Sequence, residues 1–135
     1  MRFLTSDLVK PADETELARL IKEAGENRVP LEIRGNGSKR SLGRPVQAGA
    51  TIELSAMNGI TLYEPTELVM AAKAGTPLAL IEERLAEQGQ MLAFEPLDLG
   101  ALSDQPRRSG TIGGVFMTNM SGARRISAGA ARDHL

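Results

Sequence analysis

The chain contains no cysteine and no tryptophan, a single histidine, a single tyrosine and only three phenylalanines. Without cysteine there is no disulfide, no thiolate nucleophile and no cysteine-based zinc cluster. The lone histidine, His134, cannot build a metal site unaided. Scarce aromatics argue against a platform for single-stranded nucleic acid, which needs rings on which bases stack. A formal net charge of −1 gives no general attraction to nucleic acid or to an anionic membrane. No apolar run approaches the roughly 20 residues needed to span a bilayer, so no transmembrane segment is expected. The opening MRFLTSDLVK lacks the apolar core of a signal peptide, and the expected compartment is the cytoplasm.

What is present is a chain of 135 residues, long enough to bury about two-thirds of its unfolded surface in one domain. Its clearest helix is Pro11–Asn27. Asp13 stands at the cap, Glu16 completes a capping-box pattern, and Leu17, Leu20, Ile21 and Ala24 form one apolar stripe. Short strands are expected at Asp7–Lys10 and Val29–Arg34, so the opening reads β-α-β with a parallel pair. Further strands are expected at Ala50–Leu54, Thr61–Glu64 and Glu67–Ala74. A second helix follows, capped by Thr76 with Pro77 in its first turn, burying Leu78, Ile81 and Leu85 and stopping at Gly89. Met91–Phe94 reads as a returning strand and Asp98–Gly110 as a polar loop, so the fold class is α+β.

Of the fourteen glycines, five fall in two short segments. In Arg34–Lys39, RGNGSK, alternating glycines let successive N–H groups converge on one concavity that suits a phosphate, with Ser38 and Lys39 as added donors. On composition alone a plain crossover loop explains the same residues. The Rossmann fingerprint fails for want of a third glycine opening a helix, and the P-loop order Gly-Lys-Ser/Thr is absent. In the second segment, TIGGVFMTNMSG, Thr111 caps a short helix whose Gly113 and Gly114 leave backbone N–H groups approachable by an anion or a flat polar ring. Close packing of a helix on a sheet also demands glycine there.

The ordered combination resembles a known family. A strand ending in R-G-x-G-S, then T-I-G-G about seventy residues on, followed by N-x-S-G and R-D, resembles the FAD-binding domain of the para-cresol methylhydroxylase and vanillyl-alcohol oxidase (PCMH-type) family. The stretches TIELSAMNGI and VMAAKAGTPLALIEERLAEQG are similar to that family's intervening elements. FEPLDLG and SGARRISAGAARD are most similar to the FAD-binding subunit of bacterial glycolate oxidases. The resemblance implies a PCMH-type fold over residues 1–135. A β-α-β first subdomain would occupy 1–55 and a truncated mixed-sheet second subdomain 56–135, with the family's closing strands expected beyond this length.

The resemblance further implies that Arg34, Gly35, Asn36, Gly37 and Ser38 hold the FAD pyrophosphate. Thr111, Gly113, Gly114, Asn119, Ser121 and Gly122 would approach the ribityl chain and the ring. Covalent flavin in the family often hangs on a histidine in the first loop, and this loop has none, so the implied FAD is non-covalent. The implied activity is oxidation of a 2-hydroxy acid with hydride transfer to the flavin, alongside other oxidoreductase subunits of a glycolate-oxidase-like complex. No residue of this chain is singled out as catalytic. Arg124, Arg125 and Arg132 read as solvated surface charges. A competing reading is an assembly module that holds no FAD tightly and pairs through an open sheet edge, as a homo-oligomer or with partner subunits.

Overall fold

The computed structural model describes residues 7–99 and 109–135. Strand β1 (Asp7–Val9) leads into helix α1 (Glu14–Glu26), and β2 (Leu31–Arg34) and β3 (Ala50–Glu53) follow. The order in the sheet is β1-β3-β2, all parallel, so the expected parallel pair β1 and β2 is parted by β3. Helix α1 starts where the capping pattern requires. Asp13 accepts from the Glu16 N–H at 2.8 Å, and the Glu16 carboxylate accepts from the Ala12 N–H at 3.0 Å. Leu20 and Ala24 of its stripe are sealed against Ala50 and Ile52, with Leu17, Val9 and Leu31 around them, while Ile21 stays half exposed.

Register puts Val9, Ile33 and Ile52 on the helix-covered face. The opposite face is polar. Thr51 donates to Glu32, Arg40 pairs with Glu32 at 2.9 Å, and Glu53 pairs with both Lys10 at 2.6 Å and Arg34 at 2.9 Å. Lys10 follows β1, Arg34 ends β2 and Glu53 ends β3, so this network ties the carboxyl ends of all three strands. The Glu53 carboxyl is drawn down to about 2, chiefly by its hydrogen bond with Lys10, then by Ser55 and Arg34, against the opposing cost of burial.

A 3-10 turn at Leu54–Ala56 leads to the antiparallel hairpin of β4 (Ile60–Glu64) and β5 (Val69–Ala72). The strand expected over Glu67–Ala74 is trimmed at both ends. Residues 65–68 form the hairpin turn, with the Leu68 N–H on the Pro65 carbonyl and Leu68 at φ 57°. Residues 73–76 form a junction instead. Helix α2 (Leu78–Ala86) buries Leu78, Ile81 and Leu85 as expected, and Gly89, at φ 64°, closes it.

Thr76, however, does not cap α2. Its fully buried hydroxyl donates toward the carbonyls of Lys73 (2.6 Å) and Gly59 (3.1 Å) and accepts from the Gly59 N–H, so it clamps the hairpin base and has nothing left for the helix. Met91–Phe94 is not a strand, because it has no ladder partner among the described residues; its regular contact is one bridge beyond it, between Pro96 and Ser121. Phe94 instead turns inward to form a second core with Leu78, Val115 and Ala131. That core is closed by α3 (Ile112–Thr118) and a 3-10 turn at Ala131–His134, with the exposed single turn α4 (Arg125–Ala128) between them. Of the loop expected over Asp98–Gly110, residues 100–108 lie outside the described residues.

Candidate functional site

The glycine loop leaves the sheet at the carboxyl end of β2, the edge where ligands of open parallel sheets bind. Arg34 anchors it: Nη2 is spent on Glu53, and the guanidinium lies under Gly37, whose added β-carbon would meet Arg34 Nη1 at 3.7 Å. Gly37 sits at φ 76°, where only glycine is unstrained. Among the described residues, the backbone N–H groups of Asn36, Gly37 and Ser38 find no protein acceptor. Three successive open donors form the concavity that the loop sequence suggests.

The second segment meets this loop. A β-carbon on Gly35 would stand 2.9 Å from Thr111 Cγ2, inside contact distance. The Asn36 amide donates to the Ser109 carbonyl at 3.1 Å. A β-carbon on Gly110 would lie 3.7 Å from both Ser38 Oγ and Lys39 Nζ, so these two side chains close over Gly110. Segments some seventy residues apart therefore share one seam.

Not every expected donor is open. Thr111 caps α3 as expected, and its hydroxyl takes the Gly114 N–H at 3.3 Å. The Gly113 N–H is bound to the Ala74 carbonyl at 2.9 Å, and a β-carbon there would stand 2.7 Å from that oxygen. The expectation that both groups remain approachable is overturned, because the helix start is itself docked on the Ala74–Thr76 junction. The close-packing explanation accounts for Gly113. Asn119 ends α3 in the left-handed conformation, and its Oδ1 accepts from the Arg132 N–H. Gly122 abuts Glu95, with a β-carbon distance to its Cγ of 2.8 Å, and its N–H binds the Glu95 carbonyl. The 119–122 turn thus belongs to the second core and is joined to the 34–38 loop by no hydrogen bond or ion pair among the described residues.

Among the described residues three buried side-chain polar atoms lack a partner: Arg34 Nε, Ser109 Oγ and Ser121 Oγ. Buried polar atoms normally pair, and these orphans lie on both segments. Ser121 was expected from its motif. Ser109 was not, because a serine before a glycine-rich helix start carries no signal until the fold sets it against Asn36. An open groove of about 690 Å³, lined by Glu82, Glu83, Gln90, Met91, Phe94 and Arg124, has no contribution from residues 34–38. His134 packs its ring on Phe94 and hydrogen-bonds the Ala128 carbonyl at 2.8 Å, a structural engagement. Among the described residues no acidic or histidine cluster could hold a metal ion, and no helix is long and apolar enough to cross a membrane.

A parallel sheet ending in a glycine loop with open N–H donors, seamed to a second glycine segment with orphaned hydroxyls, defines a nucleotide-cofactor domain. Residues 6–135 match the family described as FAD binding domain, and the chain belongs to that family, with FAD as its cofactor. The glycolate oxidase subunit GlcE of Escherichia coli (strain K12) is 40% identical over 117 residues, which is 87% of this chain and 31% of that protein. A D-lactate dehydrogenase of Archaeoglobus fulgidus is 27% identical over 129 residues, 95% of this chain and 27% of that protein. Among solved structures, an alkyldihydroxyacetonephosphate synthase superposes with a TM-score of 0.71 at 23% identity, over 93% of this chain and 24% of that one, a likeness of fold. The chain spans about a quarter to a third of the length of these relatives. It is an FAD-binding domain, similar in sequence to part of the glycolate oxidase subunit GlcE and to part of a D-lactate dehydrogenase.

Proposed function

We propose that this domain binds FAD non-covalently, with the diphosphate on the Arg34–Ser38 loop, and serves an oxidoreductase that oxidises a 2-hydroxy acid. The observation that carries the reading is the run of N–H groups at Asn36, Gly37 and Ser38 that find no protein acceptor among the described residues, on a loop that shares a seam with the Ser109–Thr111 segment. Charge-assisted hydrogen bonds from such donors are each worth roughly 1.5–3 kcal/mol. The Arg34–Glu53 pair fixes the loop's exit from the sheet, and Ser109 and Ser121 offer hydroxyls to the rest of the cofactor. In this reading Thr111, Gly113, Gly114 and Gly122 form the wall beside the ribityl chain, its shape fixed by their close packing on Ala74 and Glu95, while Asn119 holds its end in place. Residues 34–38 carry no histidine, cysteine or tyrosine to form a flavin bond, and His134 is engaged elsewhere. When bound, FAD supplies the two-electron acceptor.

The two core clusters, around Leu20 and Ile52 and around Phe94 and Val115, support lobes of residues 1–55 and 56–135 within one domain. The 2-hydroxy acid follows from the relatives, a glycolate oxidase subunit and a D-lactate dehydrogenase, and the partners would be further oxidoreductase subunits. Titration with FAD, FMN and riboflavin, followed by flavin fluorescence, tests the cofactor reading. FAD should bind well and riboflavin poorly. Gly37→Val should abolish FAD binding, because a β-branched residue resists the φ of 76° that shapes the loop, while circular dichroism keeps the signal of the helices outside it. Gly35→Val is a poor probe, because it would strike Thr111. A folded chain that ignores all three flavins would instead favour the assembly reading, for which the half-exposed Leu62 and Val69 on the β4–β5 hairpin speak.

A further inference from the structure

Of the three cations on or beside the glycine loop, two are committed. Arg34 is paired with Glu53, and Arg40 with Glu32. The Lys39 side chain has neither an ion pair nor a hydrogen bond among the described residues, although it is partly buried and folds over Gly110 beside Ser38 Oγ. An amine withdrawn from water into a seam, with the Asp98 carboxylate acting on it but no hydrogen bond or ion pair among the described residues, is a costly arrangement that a further anion would relieve. Around the same point lie the open N–H groups of Asn36 to Ser38 and, one residue from Gly110, the orphaned Ser109 hydroxyl. All of these are donors, so the group that satisfies them together carries several acceptor oxygens and negative charge.

We propose that Lys39 is the residue that recognises the diphosphate of the flavin and so discriminates FAD from flavins that lack it. The inference rests on the assignment of the loop made above and adds to it the charge that reads the ligand. Burial holds the Lys39 ammonium below its usual range, and the carboxylate of Asp98 opposes that shift only in part. Among the described residues the other cations on or beside the loop are Arg34 and Arg40, each paired with a carboxylate. A diphosphate beside Lys39 stabilises the ammonium and returns its titration toward higher pH. FAD binding then takes up a proton in the alkaline interval between the free and bound titrations, and affinity falls as pH rises through that interval.

The experiment is a calorimetric titration of the full chain with FAD, FMN and riboflavin, at neutral and at alkaline pH, in two buffers of different ionisation enthalpy. Wild type is compared with Lys39→Met and Lys39→Arg. The expected result is a loss of about tenfold or more in FAD affinity for Lys39→Met with riboflavin unchanged, since a charge-assisted contact is removed. Lys39→Arg, always protonated, should keep most of the affinity but lose both the alkaline decline and the proton uptake. Titration of the flavin itself is common to all three proteins and cancels in the comparison. FAD binding by Lys39→Met equal to wild type, or proton uptake unchanged in Lys39→Arg, overturns the role of Lys39 while leaving the loop assignment intact. Wild type that binds riboflavin as tightly as FAD, or binds no flavin, overturns the loop assignment and Lys39's role with it.

Discussion

The two glycine-rich segments look alike in sequence and are used in opposite ways. In Arg34–Lys39 the glycines keep the backbone open, with donors facing outward and Gly37 in a conformation other residues resist. In Thr111–Gly122 the glycines let backbone meet backbone. Gly113 lies on Ala74, Gly122 lies on Glu95, and the N–H groups of Gly113, Gly114 and Gly122 are all bound within the protein. One segment leaves its donors open and the other mainly packs, and they touch where Gly35 meets Thr111.

The comparison is broken most severely at Gly113. Gly113→Ala places a carbon 2.7 Å from the Ala74 carbonyl oxygen and 2.9 Å from its Cβ, with no flexible side chain to yield. A loss of about 1–3 kcal/mol is expected from such overpacking, read as a lower midpoint in urea. If the midpoint does not move, the packing role assigned to that glycine is wrong.

A smaller effect tests the anchor beneath the open loop. The Glu53 carboxyl titrates at about 2 in the folded chain against 4.5 for the free group. Its contribution is therefore full above about pH 4.5 and is lost as pH falls toward 2. Its partner Lys10 is half exposed, so screening reduces the contribution to on the order of 1–2 kcal/mol. Glu53→Gln should flatten the acid limb of the stability profile, and an unchanged limb would remove Glu53 as its source.

The smallest change has the opposite sign. Gly25 sits near the end of α1 with nothing within 4 Å of an added β-carbon, so it serves neither purpose. Gly25→Ala should stabilise by up to about 1 kcal/mol, seen as a higher melting temperature with FAD affinity unaltered.

Helix α1 was legible because its cap, its stripe and its length all act within one stretch of chain, and the same holds for the buried face of α2 and the cap of α3. Alternation likewise located most strands. Met91–Phe94 misled because an apolar run reads the same whether it enters a ladder or turns one ring into a core. Thr76 misled because a threonine before Pro77 is a good cap locally, and only the approach of Gly59 and Lys73 claims its hydroxyl first.

The candidate site divides along the same line. Local chemistry in the sequence determined the helices, the loop's capacity to open its N–H groups, and the family motifs that imply FAD. Tertiary structure alone decided which glycine donors remain free, which cation lacks a partner and that Ser109 stands at the seam. Each of those depends on residues tens of positions apart in the chain, and pairing across such a distance is written in no local period or propensity.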